Sequence, residues 1–185
     1  MKVKDSKTKE LLKYLAIGGG IATVSLLAPM LPLHLLKAYM RERRFQRKLF
    51  LRDVKRLQER KLIDMEELPD KSVRMVLEKA GKRKVLEYRL ADMQLPKPKQ
   101  WDKKWRLVMF DIPDRYKKGR DALRYKMKEL GFHRLQKSVF LHPFACEDEI
   151  DFVASVYEVR KYVMMIPVGR FEGEEKLKHL FQIRT

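Results

Sequence analysis

This chain of 185 residues has a single cysteine, Cys146. A single thiol excludes a disulfide framework and a cysteine-rich zinc site, and it fits a reducing, cytoplasmic compartment. The four histidines are scattered, and none has the spacing of a metal-ligand pair. The sequence also has no Gly-rich phosphate loop and no internal repeat. We therefore expect no resident cofactor and no metabolic enzyme.

Charged residues are missing between Tyr14 and Leu36. A helix of that length is long enough to span a bilayer. The three glycines at 18–20, and then Pro29 and Pro32, divide the run into pieces that are short for spanning. No small-x-small cleavage site follows the basic N-terminus, which argues against a signal peptide. We therefore expect a soluble protein, and a membrane-tethered protein is the alternative.

Positive charge is abundant. The chain holds 43 Lys and Arg against 25 Asp and Glu, a formal net charge of +18. Such an excess favours a polyanionic partner, namely DNA, RNA or an anionic membrane surface. The first 100 residues hold 25 basic and 12 acidic residues, and the rest hold 18 and 13. The excess therefore lies in the first part of the chain, although a generally basic soluble protein is the alternative interpretation.

Two prolines, Pro96 and Pro98, mark a change in the chain. They exclude a helix there and favour an extended connector. We predict a first domain at residues 1–93, a linker at 94–100 and a second domain at 101–185, whose start is anchored by Trp101 and Trp105.

Helical spacing of apolar residues predicts three helices in the first domain, at 7–27, 33–43 and 48–61. A strand follows at 73–77, Gly81 stands in the turn after it, and 85–90 is a returning strand or a short helix. Three helices followed by a hairpin predict a winged helix-turn-helix.

The second domain alternates strands with helices. We predict strands at 106–110, 135–141 and 162–168, and helices at 117–130, 147–157 and 174–181. This alternation in under a hundred residues predicts a ferredoxin-like α/β sandwich, so the whole chain is of the α+β class.

The third predicted helix has a basic side. Lys48, Arg52 and Lys55 follow the i, i+4, i+7 spacing, opposite an apolar side that contains Val54 and Leu57. Such a helix packs one side on a core and lays the other on DNA phosphates or guanine edges. We predict that double-stranded DNA is contacted by Arg44, Lys48, Arg52, Lys55, Arg56 and Arg60. The alternative is a solvated charged face whose local ion pairs contribute little.

A second basic cluster surrounds Gly81. The predicted hairpin places Lys82, Arg83 and Lys84 at its tip, where they would lie along the DNA backbone or reach the minor groove.

Specific motifs occupy the second domain: Trp101-Asp102-Lys103-Lys104-Trp105 continuing to Asp111-Ile112-Pro113, then Arg120-Asp121-Ala122-Leu123-Arg124, Gly131-Phe132, Leu135 to Phe140, and Pro143-Phe144. In this order they resemble the PaaX-like repressor family of phenylacetic-acid catabolism. Its ferredoxin-like domain in turn resembles the small CRISPR-associated adaptation endonuclease.

The resemblance implies a homodimeric repressor in which the ferredoxin-like domain mediates assembly, so that two recognition helices read a palindrome. Longer members of the family carry a further C-terminal domain, and this sequence stops at Thr185, which gives no basis for an acyl-CoA effector. Gln136, Ser138 and Phe140 are expected to pack in the core or against the partner.

The endonuclease relatives place a metal-binding aspartate at the end of the first strand, and Asp111 is the matching position. The alternative function is therefore a nuclease dependent on Mg²⁺ or Mn²⁺, or an adaptation-type scaffold, in which two Asp111 side chains share a metal ion across the dimer. The competing interpretation of Asp111 is a buried or capping carboxylate that shapes the strand end.

Overall fold

The computed structural model describes residues 6–27 and 29–183. The chain forms two compact units that divide between Ala91 and Asp92. Both units combine helices with antiparallel strands, which confirms the α+β class at that level. Residues 93–100, which include the predicted linker, form no helix or strand. The predicted domain limits at residues 1 and 185 lie outside the described residues.

The first unit packs its helices around one core. Its elements, in chain order, are α1 (Ser6–Ile17), β1 (Ile21–Ser25), α2 (Leu33–Tyr39), β2 (Met40–Arg41), β3 (Arg44–Phe45), α3 (Arg47–Glu59), β4 (Ile63–Glu67), β5 (Ser72–Leu77) and α4 (Lys79–Asp92). Three strands form an antiparallel sheet in the order β1-β5-β4, and β2 pairs with β3 in a separate hairpin. Leucines of α1, Tyr39 and the apolar side of α3 are buried together against the sheet.

The predicted first helix is wrong beyond Ile17. Gly19 and Gly20 have φ of 76° and 90°, and the Gly20 N–H donates to the carbonyl of Leu15 at 2.7 Å. Glycine enters this left-handed region without a Cβ clash, so the helix ends there. Residues 21–25, which the helical spacing had included, instead pair with β5.

The charge-free run is thus divided among α1, β1 and α2, although Ala28 lies outside the described residues. Within the described part of the chain, no helix combines the length and the apolar character that crossing a bilayer would need.

The predicted second helix is wrong beyond Tyr39. Glu42 and Arg43 both have positive φ, 48° and 66°, and they turn the chain into the β2–β3 hairpin. Two consecutive positive φ values define the tight turn that suits a two-residue hairpin loop.

The predicted basic hairpin tip around Gly81 is also wrong. β5 pairs with the upstream strand β4, from Ile63↔Leu77 to Glu67↔Val73, and the segment after β5 is the helix α4. Gly81 of α4 packs directly against Leu62, which lies between α3 and β4. An added Cβ would stand 1.9 Å from the carbonyl oxygen of Leu62. The glycine therefore serves helix packing rather than a turn.

The second unit contains β6 (Trp105–Phe110), α5 (Lys117–Glu129), β7 (His133–Gln136), β8 (Val139–His142), α6 (Glu147–Val156), β9 (Val163–Val168) and α7 (Glu174–Leu180). One antiparallel sheet has the order β7-β8-β6-β9. The single strand predicted at 135–141 is a hairpin, because Lys137 and Ser138 form a turn between β7 and β8.

The two faces of this sheet differ. Arg106, Val108 and Phe110 of β6 point to the side where Arg106 bonds Glu147 of α6 and Arg124 of α5 lies over the Phe110 ring. On the opposite face, α7 covers the end around Trp105. The rest of that face is apolar and only partly covered: Leu107, Met109 and Val139 are half-buried, and Met164 and Ile166 are exposed. We call these five residues the open sheet face.

Candidate nucleic-acid interface

Helix α3 divides its residues between core and solvent. Phe50, Val54 and Leu57 are completely buried. Lys48, Arg52, Lys55 and Arg56 are exposed, and we call these four residues the basic face of α3. The structure therefore brings four of the predicted DNA-contacting residues onto one helix, whereas Arg60 follows the last residue of α3 and is half-buried.

One arginine of the basic face is held by a buried acid. Asp53 is fully buried, and its Oδ1 accepts hydrogen bonds from Nε and Nη2 of Arg52, both at 3.2 Å. The Arg52 side chain is still 59% exposed. This contact fixes the direction of the guanidinium while it leaves Nη1 available, and a guanidinium that is already oriented loses less side-chain entropy when it binds a phosphate or a base.

Arg44 lies on the β2–β3 hairpin, directly before α3, and is exposed. Two further exposed arginines, Arg41 and Arg43, share this hairpin, and sequence reasoning did not single them out. Within the described residues, these three arginines have no hydrogen bond or ion pair with an acid. The signal was the Arg-Glu-Arg-Arg sequence at 41–44, which falls between two helical patterns.

The β4–β5 hairpin follows α3 and carries charges of both signs at its tip. Glu66, Glu67 and Asp70 lie at or beside its tip and are exposed, and so are Lys71 and Arg74. Hydrogen bonds from the Ser72 hydroxyl (2.6 Å) and the Ser72 N–H (2.9 Å) lower the pKa of Asp70, so this carboxylate stays ionised. Glu67 also binds Arg47 of α3 at 2.6 Å. Three acids against two cations leave this tip without the positive excess that would attract phosphates.

The predicted wing cations lie on α4. Lys82 and Arg83 are exposed and Lys84 is half-buried. Glu87 pairs with Lys84 at 2.5 Å and stands 3.9 Å from Arg83, and Lys84 also lies over the Tyr88 ring. Part of this charge is therefore compensated within the helix.

Asp111 follows β6 and continues the alternation that places Met109 on the open sheet face. Its N–H donates to the carbonyl of Tyr162 at 3.1 Å, and its side chain is exposed beside a hollow of about 460 Å³ that Lys161 and Met164 also line. Asp111 is therefore not a buried carboxylate. Among the residues that the structure describes, no three acidic, His or Cys side chains are grouped to hold a metal ion.

The three residues predicted for packing or dimer contact have different environments. Phe140 is buried and stacks on Phe110 with 6.0 Å between ring centroids. Ser138 lies in the β7–β8 turn, where its carbonyl accepts from the Phe110 N–H, and Gln136 is exposed at the end of β7. A contact of Gln136 or Ser138 with a partner stays a prediction.

Comparison with known families identifies the second unit. Residues 98–180 match the PaaX protein central Cas2-like domain. Over residues 98–180, the chain is similar to the central domain of PaaX. The match confirms the resemblance that the tryptophan-rich and Asp-Ile-Pro motifs indicated. No curated protein matches the chain.

Proposed function

We propose that this PaaX-like chain is a cytoplasmic transcription regulator, a repressor, that binds double-stranded DNA through α3. The observation that carries the proposal is the division of α3 into a fully buried apolar side and an exposed basic face. The buried side fixes the helix to the core, and the basic face is left to contact the duplex. The Cas2-like domain adds support, because PaaX-like proteins are regulators of transcription.

The order of elements supports a winged helix-turn-helix. α2 and α3 are consecutive helices packed on α1, and the β4–β5 hairpin follows α3. In such motifs the second helix of the pair enters the major groove, which is wide enough for one α-helix. α3 is that helix, and its 13 residues extend about 20 Å at 1.5 Å per residue.

The second unit supports assembly into a dimer. Helices α5 and α6 follow the first and third strands of the sheet, and the strand order β7-β8-β6-β9 is the ferredoxin-like order. The open sheet face exposes Met164 and Ile166 beside half-buried Met109. A second copy of the chain placed on this face by a two-fold axis would bury the same apolar residues on both sides. Two α3 helices would then read two half-sites.

The test of DNA binding is a charge reversal on α3. Arg52→Glu with Lys55→Glu removes two phosphate or base contacts, each worth about 1.5 kcal/mol for a hydrogen bond to a charged group. The expected loss is roughly 100-fold in affinity for duplex DNA. Because Arg52 contacts the buried Asp53, Lys48→Glu with Lys55→Glu serves as a second variant, in which both altered side chains are exposed.

The matched control is Lys117→Glu with Lys118→Glu on α5, which changes the net charge by the same amount at exposed positions. Affinity is measured by fluorescence anisotropy over a salt series, with circular dichroism as the check of folding. A folded α3 variant that binds as tightly as the control variant would overturn the assignment of α3.

The dimer has its own test. Met109→Asp with Met164→Asp places charges on the open sheet face and is expected to yield monomers in sedimentation velocity. Tyr125→Asp is the control, because Tyr125 is 71% exposed on α5, on the helical side of the unit. A dimer that survives the double substitution would show that another surface mediates assembly.

The nuclease alternative rests on the exposed carboxylate of Asp111 at the edge of the open sheet face. A dimer through that face would bring two such carboxylates toward each other, and carboxylate oxygens are the ligands that Mg²⁺ prefers. Duplex cleavage that requires Mg²⁺ or Mn²⁺ and is lost in Asp111→Ala would establish this activity. Intact DNA in the presence of either metal ion would exclude it.

A further inference from the structure

The β2–β3 hairpin concentrates unpaired positive charge directly before α3. Arg41 and Arg44 are cross-strand partners, so their side chains leave the same face of the hairpin. Arg43 stands in the turn between them. All three are exposed, and within the described ranges none forms an ion pair. Like charges that face each other directly across a hairpin are unfavourable unless an anion lies between them.

The turn itself is unusual. Glu42 and Arg43 have φ of 48° and 66°, and such two-residue turns strongly prefer Asn-Gly or other glycine-containing pairs. Side chains with a Cβ enter this region only at a cost in backbone energy, and Lys61 and Lys71 of the same unit also lie in it. The turn places the Arg43 side chain at the exposed tip of the hairpin, between Arg41 and Arg44.

The hairpin is also firmly placed. Phe45, which follows Arg44, contacts Phe50 of α3 with 5.5 Å between ring centroids and Tyr39 of α2 with 6.5 Å. The Gln46 N–H donates to the carbonyl of Tyr39 at 2.7 Å. These contacts fix the arginines relative to the first turn of α3, where Lys48 begins the basic face.

We propose that the β2–β3 hairpin is a second DNA contact, in which Arg41, Arg43 and Arg44 bind backbone phosphates beside the groove that α3 enters. It takes the part that a basic wing has in other winged-helix proteins, because the tip of the β4–β5 hairpin, from Glu66 to Arg74, has no excess of positive charge. The partner is the same duplex, so this inference rests on the proposed function.

The test is the triple substitution Arg41→Gln, Arg43→Gln and Arg44→Gln. Binding to a random-sequence duplex is measured from low to moderate salt, since the removal of one phosphate-binding cation lowers the slope of log affinity against log salt by roughly 0.9. We expect the triple substitution to make this slope less steep by about 2 to 3. The matched control removes three exposed lysines of α5, Lys117→Gln, Lys118→Gln and Lys128→Gln, and is expected to keep the slope.

A second variant separates binding from folding. Glu42→Asn with Arg43→Gly leaves the net charge unchanged and supplies the residue pair that this turn prefers. We expect this variant to be at least as stable to heat as the unaltered protein. Its log affinity should depend less steeply on log salt, by about 1.

The outcomes separate the two proposals. If the unaltered protein does not bind duplex DNA, the proposed function itself fails. If it binds and the α3 reversal abolishes binding, but the triple variant and the Asn-Gly variant both keep the slope of the unaltered protein, only the hairpin contact is overturned.

Discussion

Gly81→Ala tests whether α4 packs as closely on the first unit as the structure describes. The added Cβ would stand 1.9 Å from the carbonyl oxygen of Leu62, 2.9 Å from its carbonyl carbon and 2.8 Å from Cδ1 of Leu77. The leucine side chain can rotate away, but the carbonyl cannot, because it accepts a hydrogen bond from the Glu78 N–H at 3.0 Å. The substitution therefore forces backbone to move.

The expected cost follows from two opposing effects. Relieving the clash requires α4 to withdraw until the Cβ reaches ordinary contact distance, and forced movements of this kind cost up to about 3 kcal/mol. Alanine recovers about 1 kcal/mol, because glycine is a poor helix former. The net loss is about 2 kcal/mol, which lowers the melting temperature of a unit of this size by roughly 8–16 °C.

The assay uses the position of the tryptophans. Trp101 and Trp105 lie in the second unit, so their fluorescence follows that unit, while far-ultraviolet circular dichroism follows both. Gly81→Ala should therefore lower the melting temperature of the first unit, whose unfolding is seen by circular dichroism and not by tryptophan fluorescence. The control is Gly18→Ala in the same unit, whose Cβ would meet its nearest atom at 3.4 Å. Equal melting temperatures for the two variants would refute the close packing of α4.

Three further predictions concern the second unit. Burial lowers the pKa of His142, so the free energy of unfolding should fall as the pH drops below about 6.5, by at most about 1.4 kcal/mol per pH unit. In urea titrations, His142→Gln should make the free energy of unfolding depend less on pH. Burial, and then the Glu147 carboxylate, raises the pKa of the Cys146 thiol to about 12, so a thiol reagent at pH 8 should modify the native protein far more slowly than the urea-unfolded chain. Arg106 donates to both carboxylate oxygens of Asp102, at 2.8 and 2.7 Å, and lysine cannot reproduce that geometry. Because the Asp102 side chain is 48% exposed, Arg106→Lys should destabilise the second unit by about 1.5 kcal/mol, the lower end for a hydrogen bond to a charged group, measured by tryptophan fluorescence.

Periodicity predicted α3 within a few residues, because a helix that buries Phe50, Val54 and Leu57 must repeat apolar residues at helical spacing. The same reasoning predicted α5 and α6. It failed for residues 21–25, whose apolar character suits a buried strand as well as a helix. Only pairing with β5, more than 45 residues away in sequence, decides between the two.

The candidate site was predicted in part for similar reasons. The spacing of lysine and arginine in the sequence predicts the basic face of α3. No such local pattern predicts the charge of the β4–β5 hairpin. Its first strand, at 63–67, is acidic and has only one β-branched residue, Ile63, so the sequence pattern places the hairpin in the basic segment downstream. Gly81 strengthened that error, because a glycine required by close helix packing resembles a turn glycine in sequence.

The net charge of a segment does not by itself state which cations a duplex can bind. Residues 41–61 hold ten basic and three acidic residues. In the part of the chain that the structure describes, some of these basic side chains contact a carboxylate and others do not. Arg47 is paired with Glu67, and Arg52 is oriented by Asp53. Phosphates must compete with a protein carboxylate for Arg47, whereas the hairpin arginines, Lys48 and Lys55 have no acidic partner within the described residues. On the proposed mode of binding, affinity therefore depends most on the cations that the fold leaves without an acid.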